Sequence, residues 1–265
     1  MKVSVIITVY SETQLLVESV KQIRQALGNW VYEILLVVHP KSSAECLATC
    51  EDLARHEDIR IIMQGPRSGI GWAYREAIPY VTGSYALIMS SDLETNPADA
   101  KTLVEAAEKT GAEIVCASRW LRGGGFSGYN PLKFILNFGY NLLFRALYRT
   151  SIHDITFGYK LVRSDVLRRV KWEYGTHEFC AELLLKPLRL GYAAAEVPTR
   201  WVKRPEGESK MTFVRNFRFV SAAWKILRQS REQMVEPGER MNENLSQAFP
   251  AFAPANSEDT VASAG

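Results

Sequence analysis

The sequence predicts an α/β fold, a mostly parallel central sheet with helices on both faces. Three observations predict it. Apolar runs rich in β-branched residues recur over the first half of the chain, and each is followed by a segment of helical length. The 265 residues, 47% hydrophobic and 23% charged, suffice for one good core and a smaller appendage. The strands are expected at 3–9, 34–38, 59–63, 85–89 and 114–117, with helices at 12–27, 44–56, 70–80 and 98–110. In such sheets ligands bind beyond the carboxyl ends of the strands. The loops of interest are therefore 10–12, 39–43, 64–71 and 90–97, the last of which places Asp92 and Glu94 at the end of a buried strand. A carboxylate there needs solvent, a hydrogen-bond donor or a cation.

From Arg119 the pattern changes. A glycine-rich loop, "RWLRGGGFSGYN", precedes the apolar stretch "PLKFILNFGYNLLFRALYR", in which Lys133, Asn137, Asn141, Arg145 and Arg149 recur every four positions. As a helix this stretch has one narrow polar stripe, so it is either buried or laid in a membrane surface; its cations argue against a span. A second helix is expected at 212–231, with Phe213, Phe217, Val220, Trp224 and Leu227 on its apolar face and a basic opposite face. Residues 232–265, acidic and rich in Pro, Ala, Ser and Asn, are expected to be disordered.

The net charge is +3, but residues 200–231 hold nine Lys or Arg against two acids, which favours an anionic partner such as a phosphorylated ligand or an anionic membrane surface. No nucleic-acid recognition motif is present, so nucleic acid is not an expected partner. The four cysteines have no zinc or disulfide spacing and suit a reducing compartment. The opening run is too short for a signal peptide or a spanning helix. A cytoplasmic protein, peripheral on the inner face of the cell membrane, is expected.

Four blocks carry a family resemblance: "VSVIITVYSE" from Val3, "MSSDLETNP" from Met89, "DITFGYKLVRSDVL" from Asp154 and "RPEGESKM" from Arg204. In this order the chain resembles the family 2 glycosyltransferases, and most closely the polyprenyl-phosphate group typified by dolichol-phosphate mannosyltransferase. The resemblance implies a GT-A type nucleotide-diphospho-sugar transferase fold over 1–211, with a donor half at 1–118 and an acceptor half at 119–211. It also implies an inverting transfer from a nucleotide-sugar donor to a polyprenyl phosphate, with Mg²⁺ or Mn²⁺ as cofactor. A saccharide or other hydroxyl acceptor is the alternative, as is a degenerate sugar-nucleotide-binding protein.

By the same resemblance Tyr10, Glu12 and His39 belong to the nucleotide site, and Gly69 and Gly71 let a helix begin close to it. Asp92 matches the last acid of the family's metal signature, and Glu94 would share the cation. Ser90 stands where the first acid is expected and becomes a weak or water-mediated ligand. Arg119 and Arg122 match a phosphate-binding loop, a role suited to the forked guanidinium. Asp154 is the candidate acid for the acceptor or an outer partner of the metal, with Glu178 as runner-up. Arg204, Ser209 and Lys210 would belong to a loop that closes over the phosphates.

Overall fold

The structure, a computed structural model, describes residues 1–203 and 213–237. Seven strands form the main sheet in the order β3-β2-β1-β4-β7-β5-β8: β1 (Val3–Val9), β2 (Val31–Val38), β3 (Ile59–Met63), β4 (Tyr85–Ser90), β5 (Ile114–Ser118), β7 (Lys160–Arg163) and β8 (Ala194–Pro198). All run parallel except β7, which inserts antiparallel between β4 and β5. A small parallel pair, β6 (Gly125–Ser127) and β9 (Arg200–Val202), stands apart. The helices are α1 (Gln14–Leu27), α2 (Ala44–Leu53), α3 (Ile70–Ala77), α4 (Asp99–Thr110), α5 (Pro131–Tyr148), α6 (Ser164–Arg169), α7 (Glu178–Leu190) and α8 (Phe213–Arg228).

Strand alternation sorts the core into two layers. On β1, Val3, Val5, Ile7 and Val9 pack with Leu16, Ile23 and Leu103 of α1 and α4, while Ile6 faces the opposite layer with Tyr74, Phe179 and Phe144 of α3, α7 and α5. The chain leaves β1 toward β2 and β3, then returns to lay β4 on the other side of β1. This reversal opens a crevice at the carboxyl ends of β1 and β4.

Two expectations are corrected. The end of the chain is not loose from residue 232: Met234 is fully buried, Lys171 N–H donates to its carbonyl at 2.9 Å, and Val235 bridges Val170. On α8 Val220 packs as expected and is joined by Phe219, Ala222, Ala223 and Ile226, the side chains of Phe213 and Phe217 lie outside the described residues, and Trp224 leaves the expected face, 45% exposed with the Arg228 guanidinium over its ring. The alanine pair lets α8 approach closely enough for Tyr148 Oη to donate to Ala223 O at 2.6 Å. Among the described residues no helix is long and apolar enough to cross a membrane. The loop at 204–210, with Arg204, Ser209 and Lys210, lies outside the described residues, as do Thr212 and the tail from 238 onward.

At the amino ends of the strands Glu33 gathers the sheet. Its carboxylate accepts from Ser4 Oγ at 2.6 Å and from Thr82 N and Oγ1 at 2.7 Å each, and also pairs with Arg60. Burial pushes this acid up, but the donors outweigh it and hold it below its ordinary value. Its folded value is depressed, so its contribution is full above the unfolded value near ~4.3 and is lost as pH falls through the folded one. Glu33→Gln should lose about 1–3 kcal/mol at pH 7, and the gap from wild type should narrow in urea titrations run below about pH 4.

The start of α3 is equally constrained. A Cβ on Gly71 would stand 2.7 Å from Gly175 C and 2.8 Å from Phe179 Cβ, while Gly69 holds φ at 135° with a Cβ position 2.3 Å from Gly175 O. Gly71→Ala should destabilise by about 1–3 kcal/mol through overpacking, whereas Gly28→Ala, with open space around its Cβ but φ at 50°, should lose about 1 kcal/mol from backbone strain alone.

Candidate functional site

The ends of β1, β2 and β3 form a shelf. Tyr10 is half exposed, and its ring meets His39 edge to face at 4.9 Å. The Nδ1 of His39 accepts from Lys41 N–H at 3.1 Å, and its Nε2 lies 3.3 Å from Ser68 Oγ. Burial, then the neighbouring Lys41, lower the imidazole below its ordinary value and keep it neutral at pH 7. Glu12 folds back to accept from Tyr10 N and Ser11 N at 2.9 and 3.0 Å, so its carboxylate holds the strand's last turn. Two of the glycines of 64–71 have a close protein neighbour where α3 begins. Gly69 and Gly71 make room for the backbone at Gly175, whose carbonyl accepts from Trp72 N at 3.0 Å.

Beside the shelf, β4 runs into the acidic turn. Thr8 pairs with Ser90, so this turn lies next to the end of β1. Asp92 Oδ1 accepts from Ser90 Oγ at 2.8 Å and from Glu94 N at 3.1 Å. Leu93 between the acids holds φ at 55°, a left-handed conformation that a side chain disfavours. Glu94 Oε2 accepts from Trp201 Nε1 at 3.1 Å. The polar side chains here, Ser90, Asp92 and Glu94, all present oxygen, the donor type that suits a hard divalent cation. Among the described residues no three His, Cys, Asp or Glu cluster as a metal cage. A cation here would need ligand oxygens to complete its shell.

Across a cavity of about 620 Å³ from these acids stands Arg119. It follows β5 and is 7% exposed, and its Nε and Nη2 donate to Asp154 Oδ2 and Oδ1 at 2.7 and 2.9 Å while its own N–H donates to Oδ2 at 3.0 Å. Burial opposes the guanidinium's charge, but Asp154 more than offsets it and raises Arg119 above its ordinary value. Asp154 has no exposed surface. Of the roles expected for it, positioning or deprotonating the acceptor or an outer place by the metal, proton removal suits this geometry least, because both oxygens already hold the arginine. Glu178 is buried and bonded to Thr176 Oγ1, and its neighbours His177 and Cys180 line the cavity in its place. Arg122 is exposed and does not line it.

The remaining wall comes from residues that the sequence reading did not assign to the site. Lys133, Asn137 and Tyr140 of α5, Tyr129, Thr156 and Trp201 line the cavity. Asn137 Oδ1 accepts from Trp120 Nε1 at 3.1 Å, Asn141 Nδ2 at 3.1 Å and Arg119 Nη2 at 3.4 Å, and its Nδ2 donates to Thr156 Oγ1 at 3.0 Å. Asn141 in turn accepts from Ile155 N at 2.9 Å. The polar stripe of α5 thus faces the protein, and its four-residue spacing was the available clue. The helix turns its apolar residues outward: Leu132, Ile135, Phe138 and Leu142 are each more than half exposed. Lys160, fully buried, donates to Ile155 O at 3.2 Å and Cys180 O at 3.1 Å and so fixes the loop carrying Thr156. Arg119→Ala should leave Asp154 buried without its partner and lose about 3–5 kcal/mol; thermal and urea unfolding of the variant measure it.

Comparison with known proteins places this arrangement. Over 231 residues the chain is 27% identical to the dolichol-phosphate mannosyltransferase of Pyrococcus furiosus, covering 86% of this chain and 64% of that protein. It is 26% identical to the undecaprenyl-phosphate mannosyltransferase of Micrococcus luteus, over 80% of this chain and 88% of that one. Glucosyl-3-phosphoglycerate synthase from Mycobacterium tuberculosis, solved with Mn²⁺, UDP and phosphoglyceric acid, superposes with a TM-score of 0.64 at 16% identity over 86% of this chain and 79% of that chain. The likeness shows a GT-A type fold. The glycosyl transferase family 2 profile matches residues 4–171, well over half of the sequence, and the chain belongs to that family.

Proposed function

We propose that this chain transfers a sugar, with inversion, from a nucleoside-diphosphate donor to a polyprenyl phosphate at a membrane surface, with Mg²⁺ or Mn²⁺ bound at the acidic turn. The orientation of α5 carries the reading. One edge of this helix lines the cavity through Lys133 and Asn137, beside Arg119, and the opposite edge exposes Leu132, Ile135, Phe138 and Leu142. A helix so placed offers cations to a phosphate and hydrocarbon to the lipid that bears it. Trp224, Lys225 and Arg228 of α8 are exposed as well and suit an anionic bilayer surface. The named mannosyltransferases of Pyrococcus and Micrococcus, whose acceptors are lipid phosphates, support the acceptor class.

The burial of Asp154 fits this acceptor. A phosphate monoester has its second pKa near ~6 and is largely a dianion at neutral pH, so its oxygen attacks without surrendering a proton to the protein. In a single displacement that oxygen forms the new bond to the anomeric carbon, and the bond from that carbon to the diphosphate oxygen breaks with its electron pair. Lys133, beside the Arg119–Asp154 pair on the cavity wall, would orient the acceptor phosphate. Asp92 and Glu94 would hold the cation, whose charge when bound neutralises the departing diphosphate. The oxygen donor set of the turn supports such an ion, as does Mn²⁺ in the Mycobacterium neighbour. Tyr10 and His39 form an aromatic shelf suited to the nucleotide base.

Transfer from radiolabelled GDP-mannose and UDP-glucose to undecaprenyl phosphate in phosphatidylglycerol vesicles, with Mn²⁺, tests the reading. One donor should give lipid-extractable label, and Phe138→Glu with Leu142→Glu should lower it by about tenfold or more, the worth of one buried apolar side chain. Nucleotide binding by calorimetry should be unchanged in that variant. Label that goes only to soluble hydroxyl acceptors, independent of vesicles, would overturn the lipid assignment. Metal-independent nucleotide binding without any transfer would favour a degenerate sugar-nucleotide-binding protein, the reading that Ser90, placed where an acid is expected, supports.

A further inference from the structure

We infer that the hydroxyl of Thr156 donates a hydrogen bond to the phosphate of the acceptor, an inference that rests on the placement of that phosphate beside Lys133. The direction of this hydroxyl follows from the side chains behind it. Asn137 Oδ1 stands 3.1 Å from Trp120 Nε1 and 3.4 Å from Arg119 Nη2. An indole and a guanidinium can only donate, so the oxygen of the Asn137 amide must face them and its nitrogen must face elsewhere. Asn141 is fixed in the same way: its Oδ1 accepts from Ile155 N at 2.9 Å, and its Nδ2 brings a third donor, at 3.1 Å, to Asn137 Oδ1. The Asn137 nitrogen therefore donates to Thr156 Oγ1, at 3.0 Å. Thr156 is the acceptor in that bond and keeps its own proton to give.

Thr156 stands half-buried in the cavity wall, and among the described residues Asn137 is the one group that bonds its hydroxyl. Its backbone is fixed as well. The buried ammonium of Lys160 bonds the carbonyls on either side of it, Ile155 O at 3.2 Å and Phe157 O, and ties them to Cys180 O of α7 at 3.1 Å. Phe157 in turn lies under the Arg119 guanidinium, 4.2 Å from it. A donor held this way gives up little conformational freedom when a ligand arrives. Lys133 lies one turn before Asn137 on α5 and lines the same cavity, so ammonium and hydroxyl flank the place of one phosphate. A phosphate dianion only accepts hydrogen bonds, and a hydroxyl whose oxygen already receives one from Asn137 presents its proton to such a ligand.

Thr156→Val replaces the hydroxyl by a methyl of nearly the same size, and Thr156→Ser keeps it. Citronellyl phosphate, a soluble isoprenoid phosphate, is the probe, with citronellol as its uncharged control. In calorimetric titrations Thr156→Val should bind the phosphate about tenfold or more weakly than wild type, the effect of losing one hydrogen bond to a charged group, and Thr156→Ser should bind it as wild type does. Affinity for UDP-glucose and GDP-mannose with Mn²⁺ should stay at the wild-type value in both variants, a readout that a merely structural loss would move. Parallel losses for phosphate and nucleotide sugar would overturn the inference in favour of a structural role. Unchanged affinity for citronellyl phosphate in Thr156→Val would overturn it and leave the acceptor reading standing, and a loss confined to the nucleotide sugars would do the same by putting the hydroxyl on the donor. Absence of citronellyl phosphate binding to the wild-type protein would overturn both. Should Thr156→Val fail to fold, the threonine methyl resonances of the ¹³C-labelled wild-type protein decide. The one signal missing in Thr156→Ser should shift with citronellyl phosphate and not with citronellol, and its indifference to the phosphate would overturn the inference.

Discussion

The buried pairing of Arg119 with Asp154 is the constraint around which the cavity wall opposite the acidic turn is built. Two charges with almost no exposed surface are tolerable only when each remaining donor and acceptor is met. Asp154 is met by the Arg119 side chain and amide, and its own N–H donates to Glu196, which also accepts from His153 N. Arg119 also meets Asn137 and Tyr129 and is stacked at 4.2 Å on Phe157. One partner of the guanidinium thus belongs to α5, and this contact ties the rotation of that helix to the ion pair.

That rotation has consequences at both edges of α5. With Asn137 and Asn141 committed inward, Phe144 enters the core, and Leu132, Ile135, Phe138 and Leu142 are left more than half exposed, Phe138 with one edge against Trp120. An amphipathic helix in a soluble fold ordinarily buries its apolar stripe; here polar satisfaction at the site outweighs that tendency, because an unmet buried charge costs several kcal/mol, more than the exposure of any one of these side chains. The exposed apolar face and the polar cavity wall are two results of one packing decision.

At the acidic turn, backbone geometry takes the corresponding part. The parallel strands β1 and β4 deliver the loops after Val9 and Ser90 to adjacent positions, and the acids there are restrained by nearby N–H and O–H groups. β7 inserts antiparallel beyond β4 and carries Lys160, whose buried ammonium anchors the loop of Thr156 and Phe157 against α7. β9 then ties the acidic turn to the glycine-rich loop, so the two walls of the cavity share a strand.

The sequence by itself determined the class of fold and the first five strands to within a few residues, because a strand buried on both faces must be a continuous apolar run and this one repeats with helix-length spacers. It also determined that Asp92 and Glu94 lie at a strand's carboxyl end and that α5 has a polar stripe. Tertiary structure decided the rest. The direction in which the stripe of α5 faces, the pairing that withdraws Asp154 from chemistry, the packed face of α8 and the reach of Trp201 to Glu94 all join residues far apart in the chain. Local propensity and periodicity describe one segment at a time, whereas the partner of a buried polar group is chosen by which segments the sheet brings together.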